Sequence, residues 1–282
     1  MISPGKGFSG VSVFRLADGE LKNRKDVVAV EEPLEIRIED VVDGVLKRAP
    51  ISITMRTPGE DFELAVGFLH GEGIIQDRGD VRQVSYCQGG EPQTYNIVLV
   101  KLASKVAFDP EVLARNFYTT SSCGVCGKAS LEAIDLTGCE KILDIDLEVS
   151  SAVLKSLPGI LREKQGLFER TGGIHAAGLF NQSGECISIQ EDVGRHNAVD
   201  KVVGEAFLKS MIPLDRHILI VSGRTSFDIM QKALVARVSI VAAVGAPSSL
   251  AVDLAEKFGM TLLGFTRADG FNVYAGSRRI IG

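Results

Sequence analysis

Two cysteines separated by two residues stand in the middle of the chain, in residues 121–127, whose sequence is SSCGVCG. Thiolate sulfur is the nucleophile of cysteine chemistry, and glycine permits backbone angles that other residues avoid, so this segment can present Cys123 and Cys126 to a partner. Lys128 follows, and residues 129–134 favour a helix. Cys126 is therefore predicted near a helix N-terminus, where the dipole and a nearby cation favour the thiolate.

Four kinds of chemistry use such a pair, and the first two fit poorly. A structural zinc site normally needs four nitrogen or sulfur ligands, whereas the remaining cysteines, Cys87, Cys139 and Cys186, are scattered singly. A thioredoxin-like redox pair stands between a strand and a long helix in an early βαβ unit, and no strand leads directly into this segment. Both hypotheses are disfavoured, and no bound metal is expected.

A zinc deaminase and a persulfide carrier are the other two possibilities. The deaminase signature pairs Pro-Cys-x-x-Cys with an upstream His-x-Glu. In this chain Ser122 replaces the proline, the histidine of the triplet His175-Ala176-Ala177 lies downstream, and alanine occupies the position of the glutamate. Persulfide transfer needs an accessible thiolate that accepts a sulfane sulfur, beside a site that holds the acceptor, and a second nearby thiol can assist the release.

Bulk properties limit the functional classes. The chain has 282 residues, a formal charge of −5 and 45% hydrophobic residues. The charge argues against general nucleic-acid binding, and no apolar run approaches the length of a membrane span. The N-terminus lacks a signal-peptide pattern, so we expect a cytoplasmic protein with free thiols rather than a disulfide framework.

The sequence pattern changes along the chain. After about twenty glycine-rich residues that are expected to be loosely ordered, period-two alternation predicts strands at 34–39, 51–55, 81–86 and 95–101, with a helix around 62–69. Beyond residue 127, a hairpin is predicted from strands at 176–180 and 186–190, followed by a helix at about 197–209. Strands at 217–221, 239–244 and 260–265 then alternate with helices at 226–237 and 249–258. Apolar strands alternating with helices predict an α/β fold with a parallel sheet covered on both faces.

Three loops follow these apolar strands, at 222–226, 245–249 and 266–270. Ligands of parallel α/β sheets bind beyond the carboxyl ends of the strands. The first two loops run into helices, so free backbone N–H groups are expected to face an anion there, and Arg224 and Arg267 add positive charge. The alternative is that small residues merely permit tight turns between strand and helix. Both possibilities stay open at this point.

Several motifs together resemble the formate dehydrogenase accessory sulfurtransferase family (FdhD/NarQ). They are 56–59 (RTPG), 69–73 (LHGEG), 120–127 (TSSCGVCG), 172–175 (GGIH), 191–201 (EDVGRHNAVDK) and 222–224 (SGR). The resemblance covers most of the chain and is far more specific than an isolated Cys-x-x-Cys pair.

The resemblance implies a function. Members take sulfur from a cysteine desulfurase as a persulfide and deliver it to the bis-molybdopterin guanine dinucleotide form of the molybdenum cofactor, which formate dehydrogenase then uses. On this chain Cys123 is expected to carry the persulfide and Cys126 to assist. The expected cofactor-binding residues, which would hold the guanine nucleotide arms, are Ser222, Gly223, Arg224, Phe265, Thr266, Arg267, Ala268, Asp269 and Gly270.

The resemblance also implies an architecture. We expect a small N-terminal β-rich α+β domain at residues 1–115 and a cytidine-deaminase-like, three-layer α/β domain at 116–282, which carries the two cysteines. A homodimer is expected. Two rival functions remain: a chaperone that binds the molybdenum cofactor without moving sulfur, and a structural zinc protein.

Overall fold

The computed structural model describes residues 7–42, 45–87, 95–103, 139–142 and 147–282. Cys123 and Cys126, the helix predicted at 129–134 and the domain boundary predicted at 115/116 lie outside these residues. The two-domain division therefore stays a prediction. Across the described ranges, no helix has the length and apolar composition that a membrane crossing needs.

The N-terminal part of the chain forms a separate hairpin and a four-stranded sheet with one helix. Its elements are β1 (Phe8–Ala17), β2 (Glu20–Ala29), β3 (Glu32–Val42), β4 (Val45–Arg56), α1 (Asp61–Gly71), β5 (Val81–Tyr86) and β6 (Ile97–Leu102). The sheet order is β4-β3-β6-β5, in which β3 and β6 run parallel and the other neighbours antiparallel. The expectation of a loosely ordered start was wrong, because β1 and β2 pair along their whole length.

The C-terminal part forms a six-stranded sheet covered by helices. Its elements are β7 (Val149–Ser150), α2 (Ser151–Glu163), α3 (Gly166–Thr171), β8 (His175–Asn181), β9 (Cys186–Asp192), α4 (Arg195–Leu208), β10 (His217–Val221), α5 (Phe227–Val235), β11 (Ile240–Ala243), α6 (Ser249–Phe258), β12 (Thr261–Gly264), β13 (Asn272–Ala275) and β14 (Ile280–Ile281). The sheet order is β13-β12-β11-β10-β8-β9, and β7 pairs with β14.

The sheet is mixed rather than parallel. Strands β10, β11 and β12 run parallel, as the sequence predicts, but β8 and β13 pair antiparallel with β10 and β12, and β9 pairs antiparallel with β8. The prediction of a parallel sheet is therefore correct for β10, β11 and β12 and wrong for the strands on either side of them. Apolar composition reports that both faces are buried, whereas it carries no information on strand direction.

Alternation along the central strands builds three layers. Leu219 and Val221 of β10 pack in one apolar cluster with α4, α5 and α6, whereas Ile218 and Ile220 pack in another with α2. Successive side chains of a strand point to opposite faces, so both faces of the sheet bury an apolar layer. The mixed α/β class predicted from the sequence is thereby confirmed.

Helices α1 and α4 cross at two glycines. A Cβ atom on Gly67 would lie 1.9 Å from the carbonyl oxygen of Asp200, and a Cβ on Gly204 would lie 1.8 Å from that of Glu63. Only glycine fits at either position, because the two backbones touch. The four-stranded sheet packs on α1, so this crossing connects that sheet to α4.

Candidate functional site

One edge of the six-stranded sheet collects most of the predicted site residues. The carboxyl ends of β10, β11 and β12 lie there, and so do the start of β8 and the end of β9, because β8 runs antiparallel to both β9 and β10. His175 pairs with Asp192 across β8 and β9. Ser222 is fixed to the same edge, since its backbone N–H donates to Ala176 O at 2.9 Å and its Oγ accepts from Ala176 N at 2.9 Å.

The three loops at this edge bind one another through their backbones. Gly245 N donates to Gly223 O at 3.0 Å, Thr225 N donates to Ala246 O at 3.2 Å, and Phe265 N donates to Gly245 O at 3.0 Å. These three N–H groups are therefore not free to bind an anion, whereas the other N–H groups of the loops are not accounted for by these bonds. Gly245 allows the close approach, because a Cβ there would lie 2.9 Å from the oxygen of Gly223.

Phe265 and Thr266 carry two unusual features. Phe265 has φ of 52° and its side chain is exposed, although the left-handed region costs a non-glycine residue about 1–3 kcal/mol. Thr266 is fully buried and its Oγ1 has no hydrogen-bond partner in the described structure; the same is true of Thr225 in the neighbouring loop. Strained backbone concentrates at functional sites, and an unpaired buried hydroxyl is consistent with an absent water or ligand.

Arg224 and Arg267 are exposed at the rim of this edge, as are Ala268 and Asp269. Reciprocal backbone hydrogen bonds between Arg267 and Gly270, at 2.8 and 3.2 Å, close the last loop into a tight turn. Helix α5 begins at the first loop without a side-chain cap, so its first N–H groups remain available beside Arg224. By contrast, Ser248 caps α6 through Ala251 N.

The two histidines at this edge are neutral. Burial, and then the positive charge of Arg195, lowers the pKa of His196 to about 4 and also lowers the pKa of His175. His196 Nε2 lies 3.2 Å from Ser226 Oγ and 3.6 Å from Asp228 Oδ2. Because the His196 ring is neutral, its 3.6 Å contact with Asp228 is a polar contact rather than an ion pair.

The segment 191–201 holds these parts in place through a buried aspartate. Asp192 accepts hydrogen bonds from the backbone N–H groups of Thr57 (3.1 Å) and Gly194 (2.8 Å) and from Asn197 Nδ2 (2.9 Å). Lys201 Nζ pairs with it at 2.8 Å and also donates to Thr57 O at 3.0 Å. This network ties the end of β4 to the start of α4, so these residues act as scaffold around the site.

The motif at 56–59, which also contributes to the family resemblance, stabilises the fold. Arg56 is buried and forms a bidentate pair with Asp61 at 2.9 and 3.0 Å at the start of α1. Glu60 occupies the N-cap of this helix in a left-handed conformation and makes no side-chain cap. The hydroxyl of Thr57 instead accepts from Val193 N at 3.1 Å.

A cavity of 690 Å³ opens from the same edge toward α2 and α3. It is lined by Pro158, Leu161, Arg162, Gln165, Phe168, Gly172, Gly173, Ile174, His175, Ser222 and Val244. Its size is that of a pocket for a small molecule or cofactor. Gln165 and Phe168 were missed by the sequence analysis, because nothing in the pattern around a short helix distinguishes a lining residue from a surface one.

The structure thus brings Ser222, Gly223 and Arg224 to the same sheet edge as residues 265–270. It does not test the roles expected of Cys123 and Cys126. Within the described ranges, no group of three or more histidine, cysteine or acidic residues is arranged to hold a metal ion.

Comparison with known proteins gives consistent matches over nearly the whole chain. The FdhD/NarQ family model matches residues 29–281. The sulfur carrier protein FdhD of Streptomyces coelicolor is 50% identical over 272 residues, which span 95% of this chain and 94% of the relative. The protein of the same name from Mycobacterium tuberculosis is 47% identical over 274 residues, spanning 95% and 96%.

A solved structure has the same fold. The crystal structure of a protein named as a formate dehydrogenase accessory protein, from Desulfotalea psychrophila, superposes with a TM-score of 0.76 at 25% identity. The match covers 98% of this chain and 100% of the other.

Proposed function

The chain belongs to the FdhD/NarQ family, and from that premise we propose that it is a sulfur carrier in the maturation of formate dehydrogenase. It accepts a persulfide from a cysteine desulfurase and transfers the sulfur to the bis-molybdopterin guanine dinucleotide molybdenum cofactor, which is its substrate. The observation that carries the proposal is the 50% identity to a sulfur carrier protein over 95% of the chain. On this account the protein is a cytoplasmic sulfurtransferase and works as a homodimer.

The first step is persulfide acceptance at Cys123. Its thiolate attacks the outer sulfur of the desulfurase persulfide, so a new S–S bond forms on Cys123 and the desulfurase leaves as a thiolate. The glycines that flank the two cysteines in the sequence favour a segment able to reach a protein partner.

The second step releases the sulfur. The Cys126 thiolate attacks the inner sulfur on Cys123, the bond to the outer sulfur breaks, and hydrosulfide leaves toward the cofactor. The two cysteines supply the two electrons that reduce sulfane sulfur to sulfide and end as a disulfide. A cellular dithiol then reduces this disulfide for the next cycle.

The crevice at the sheet edge is suited to the acceptor. Arg224 is exposed just before the uncapped start of α5, and Arg267 is exposed in the loop that follows β12 at the same sheet edge; guanidinium groups and a free helix start both favour phosphate oxygens. The hydroxyls of Thr225 and Thr266, in the same loops, are buried and find no hydrogen-bond partner among the described residues. These features support the assignment of Ser222–Arg224 and Phe265–Gly270 to the guanine nucleotide arms.

Mass spectrometry after loading tests the proposal. The purified protein is incubated with a cysteine desulfurase and cysteine, and intact and peptide masses are taken before and after reduction. We expect one added sulfur on Cys123, lost on reduction and absent from Cys123→Ala. If wild type and Cys123→Ala gain no sulfur and both still activate formate dehydrogenase, the protein is a cofactor-binding chaperone instead.

A further inference from the structure

Arg195, the first residue of α4, is a half-buried cation that the described residues do not neutralise. The neighbouring cations Lys201 and Lys232 each pair with a buried aspartate, at 2.8 and 2.7 Å, whereas no ion pair among the described residues includes Arg195. The Nε atom of Arg195 is buried and finds no hydrogen-bond partner in the same part of the chain. A buried N–H without an acceptor costs free energy, so this atom indicates an absent ligand or water.

The side chains of Arg195 and His175 meet at Gly223. A Cβ atom on Gly223 would lie 3.4 Å from His175 Nδ1 and 3.9 Å from Arg195 Cδ, the atom bonded to the unpartnered Nε. Both are ordinary contact distances, so the glycine leaves a small open space in front of these two side chains. His175 and Ser222 also line the 690 Å³ cavity, which places this space at the wall of that cavity.

The groups around this space supply hydrogen-bond donors and one full positive charge. No side chain caps the N-terminus of α4, so the helix dipole adds to the charge of Arg195. Burial and the charge of Arg195 lower the pKa of His175 and of His196, so both rings are neutral. With its proton on Nδ1, the His175 ring can donate a hydrogen bond. One guanidinium with a neutral donor suits a monoanion, whereas a multiply charged phosphate is better matched by Arg224 and Arg267 at the exposed rim.

We infer that Arg195 and His175, where they meet at Gly223, form a binding site for hydrosulfide. Hydrosulfide is a monoanion that needs few hydrogen bonds, and Nε of Arg195 and Nδ1 of His175 are the donors that the site offers. Held there, the sulfur is protected from loss to solvent between its release from the cysteines and its capture by the cofactor. The inference rests on the proposed function for the identity of the anion, since the second step of sulfur transfer releases hydrosulfide.

Nuclear magnetic resonance of the full chain, labelled with isotopes only in histidine, tests the inference without any sulfur transfer. The chain has four histidines, and His217, at the opposite end of β10, is the internal reference. The protein is titrated with sodium hydrosulfide, sodium chloride and sodium phosphate at fixed pH in the absence of oxygen.

Three variants are compared with wild type. Arg195→Gln removes the charge and the Nε donor, and Gly223→Ala places a methyl group in front of both side chains. Gly173→Ala is the matched control, because Gly173 lines the same cavity and a Cβ there would meet only the carbonyl oxygen of Thr171, at 3.9 Å. Thermal unfolding of each variant establishes that the fold is intact.

We expect hydrosulfide to shift the signals of His175 in a saturable way and to leave those of His217 in place. Arg195→Gln should weaken this binding by at least about tenfold, as the loss of a charged hydrogen-bond donor implies. Gly223→Ala should abolish the binding, because its methyl group fits at ordinary contact distances and covers both donors. Gly173→Ala should bind hydrosulfide as wild type does.

The absence of a saturable shift at His175, equally strong binding of chloride or phosphate, or an unchanged affinity in a folded Arg195→Gln or Gly223→Ala variant would overturn the inference. Equal weakening by Gly173→Ala and Gly223→Ala would overturn it too. Failure of persulfide loading together with intact hydrosulfide binding would overturn the proposed sulfur transfer and leave this site standing, and persulfide loading without hydrosulfide binding would do the reverse.

Discussion

Replacing Gly204 by alanine should destabilise the protein far more than a helical glycine substitution normally does. The new Cβ would lie 1.8 Å from Glu63 O and 2.8 Å from Gly67 N, both backbone atoms of the opposing helix. Bringing the first contact to an ordinary separation requires α1 and α4 to move apart by more than 1 Å, and neither backbone can rotate away as a side chain could. Overpacking of this kind costs about 1–3 kcal/mol or more, and the intrinsic helix preference of alanine returns less than about 1 kcal/mol.

Urea unfolding measures the difference, and Gly159 supplies the control. Gly159 lies in helix α2, and a Cβ there would meet no heavy atom within 4 Å. Gly159→Ala should therefore raise the free energy of unfolding by about 0.5–1 kcal/mol, whereas Gly204→Ala should lower it by about 2 kcal/mol. Adding Gly67→Ala to Gly204→Ala should cost less than the two single changes together, because the helices are already apart. Equal stability of Gly204→Ala and Gly159→Ala would refute the backbone contact.

Three further predictions concern the scaffold and the rim of the site. Lys201→Met leaves the carboxylate of Asp192 buried without its cation and should lower the free energy of unfolding, measured in urea titrations, by about 3–5 kcal/mol. The same change at the exposed Lys209, which serves as the control, should lower it by less than about 1 kcal/mol. The pKa of His196 is lowered to about 4 in the folded protein, so on acidification the unfolded state takes up the proton first, and the free energy of unfolding should fall between pH 6.5 and 4. His196→Gln should flatten this pH dependence. An unchanged pH dependence in the variant would contradict the assignment. Arg267→Gln should weaken GDP binding and reduce its dependence on salt in calorimetry, while binding that is insensitive to this change would exclude the rim arginine from phosphate contact.

The central strands and helices could be predicted because burial on both faces leaves a strong pattern. Helix α6 begins and ends at the predicted residues, and β10 does too. The hairpin β1–β2 was missed because β2, with the sequence ELKNRKDVVA, is mostly exposed and shows no apolar face of the kind that predicts a strand. The antiparallel pairing of β8 and β9 was predicted as a hairpin and is confirmed. The antiparallel pairing of β8 with β10 was missed, since apolar composition carries no information on strand direction.

The sequence predicts the part of the site that is formed by loops at the carboxyl ends of neighbouring strands. The carboxyl ends of neighbouring parallel strands must meet, so the loops after β10 and β12 were expected at one edge. The hydrogen bonds between those loops depend on the exact register of three strands, which the sequence pattern does not contain. Gln165 could not be predicted as a cavity-lining residue, because its position depends on how α3 packs against β9.

Transfer of labelled sulfur tests the central claim most directly. The protein is loaded with radioactive sulfur by a cysteine desulfurase, freed of the desulfurase, and mixed with the isolated guanine dinucleotide molybdenum cofactor and a dithiol reductant. The account predicts that label moves from wild type to the cofactor in one turnover, that Cys123→Ala carries no label, and that apo formate dehydrogenase gains activity in proportion to the label transferred. Activation of formate dehydrogenase by Cys123→Ala, with no label on the cofactor, would contradict it.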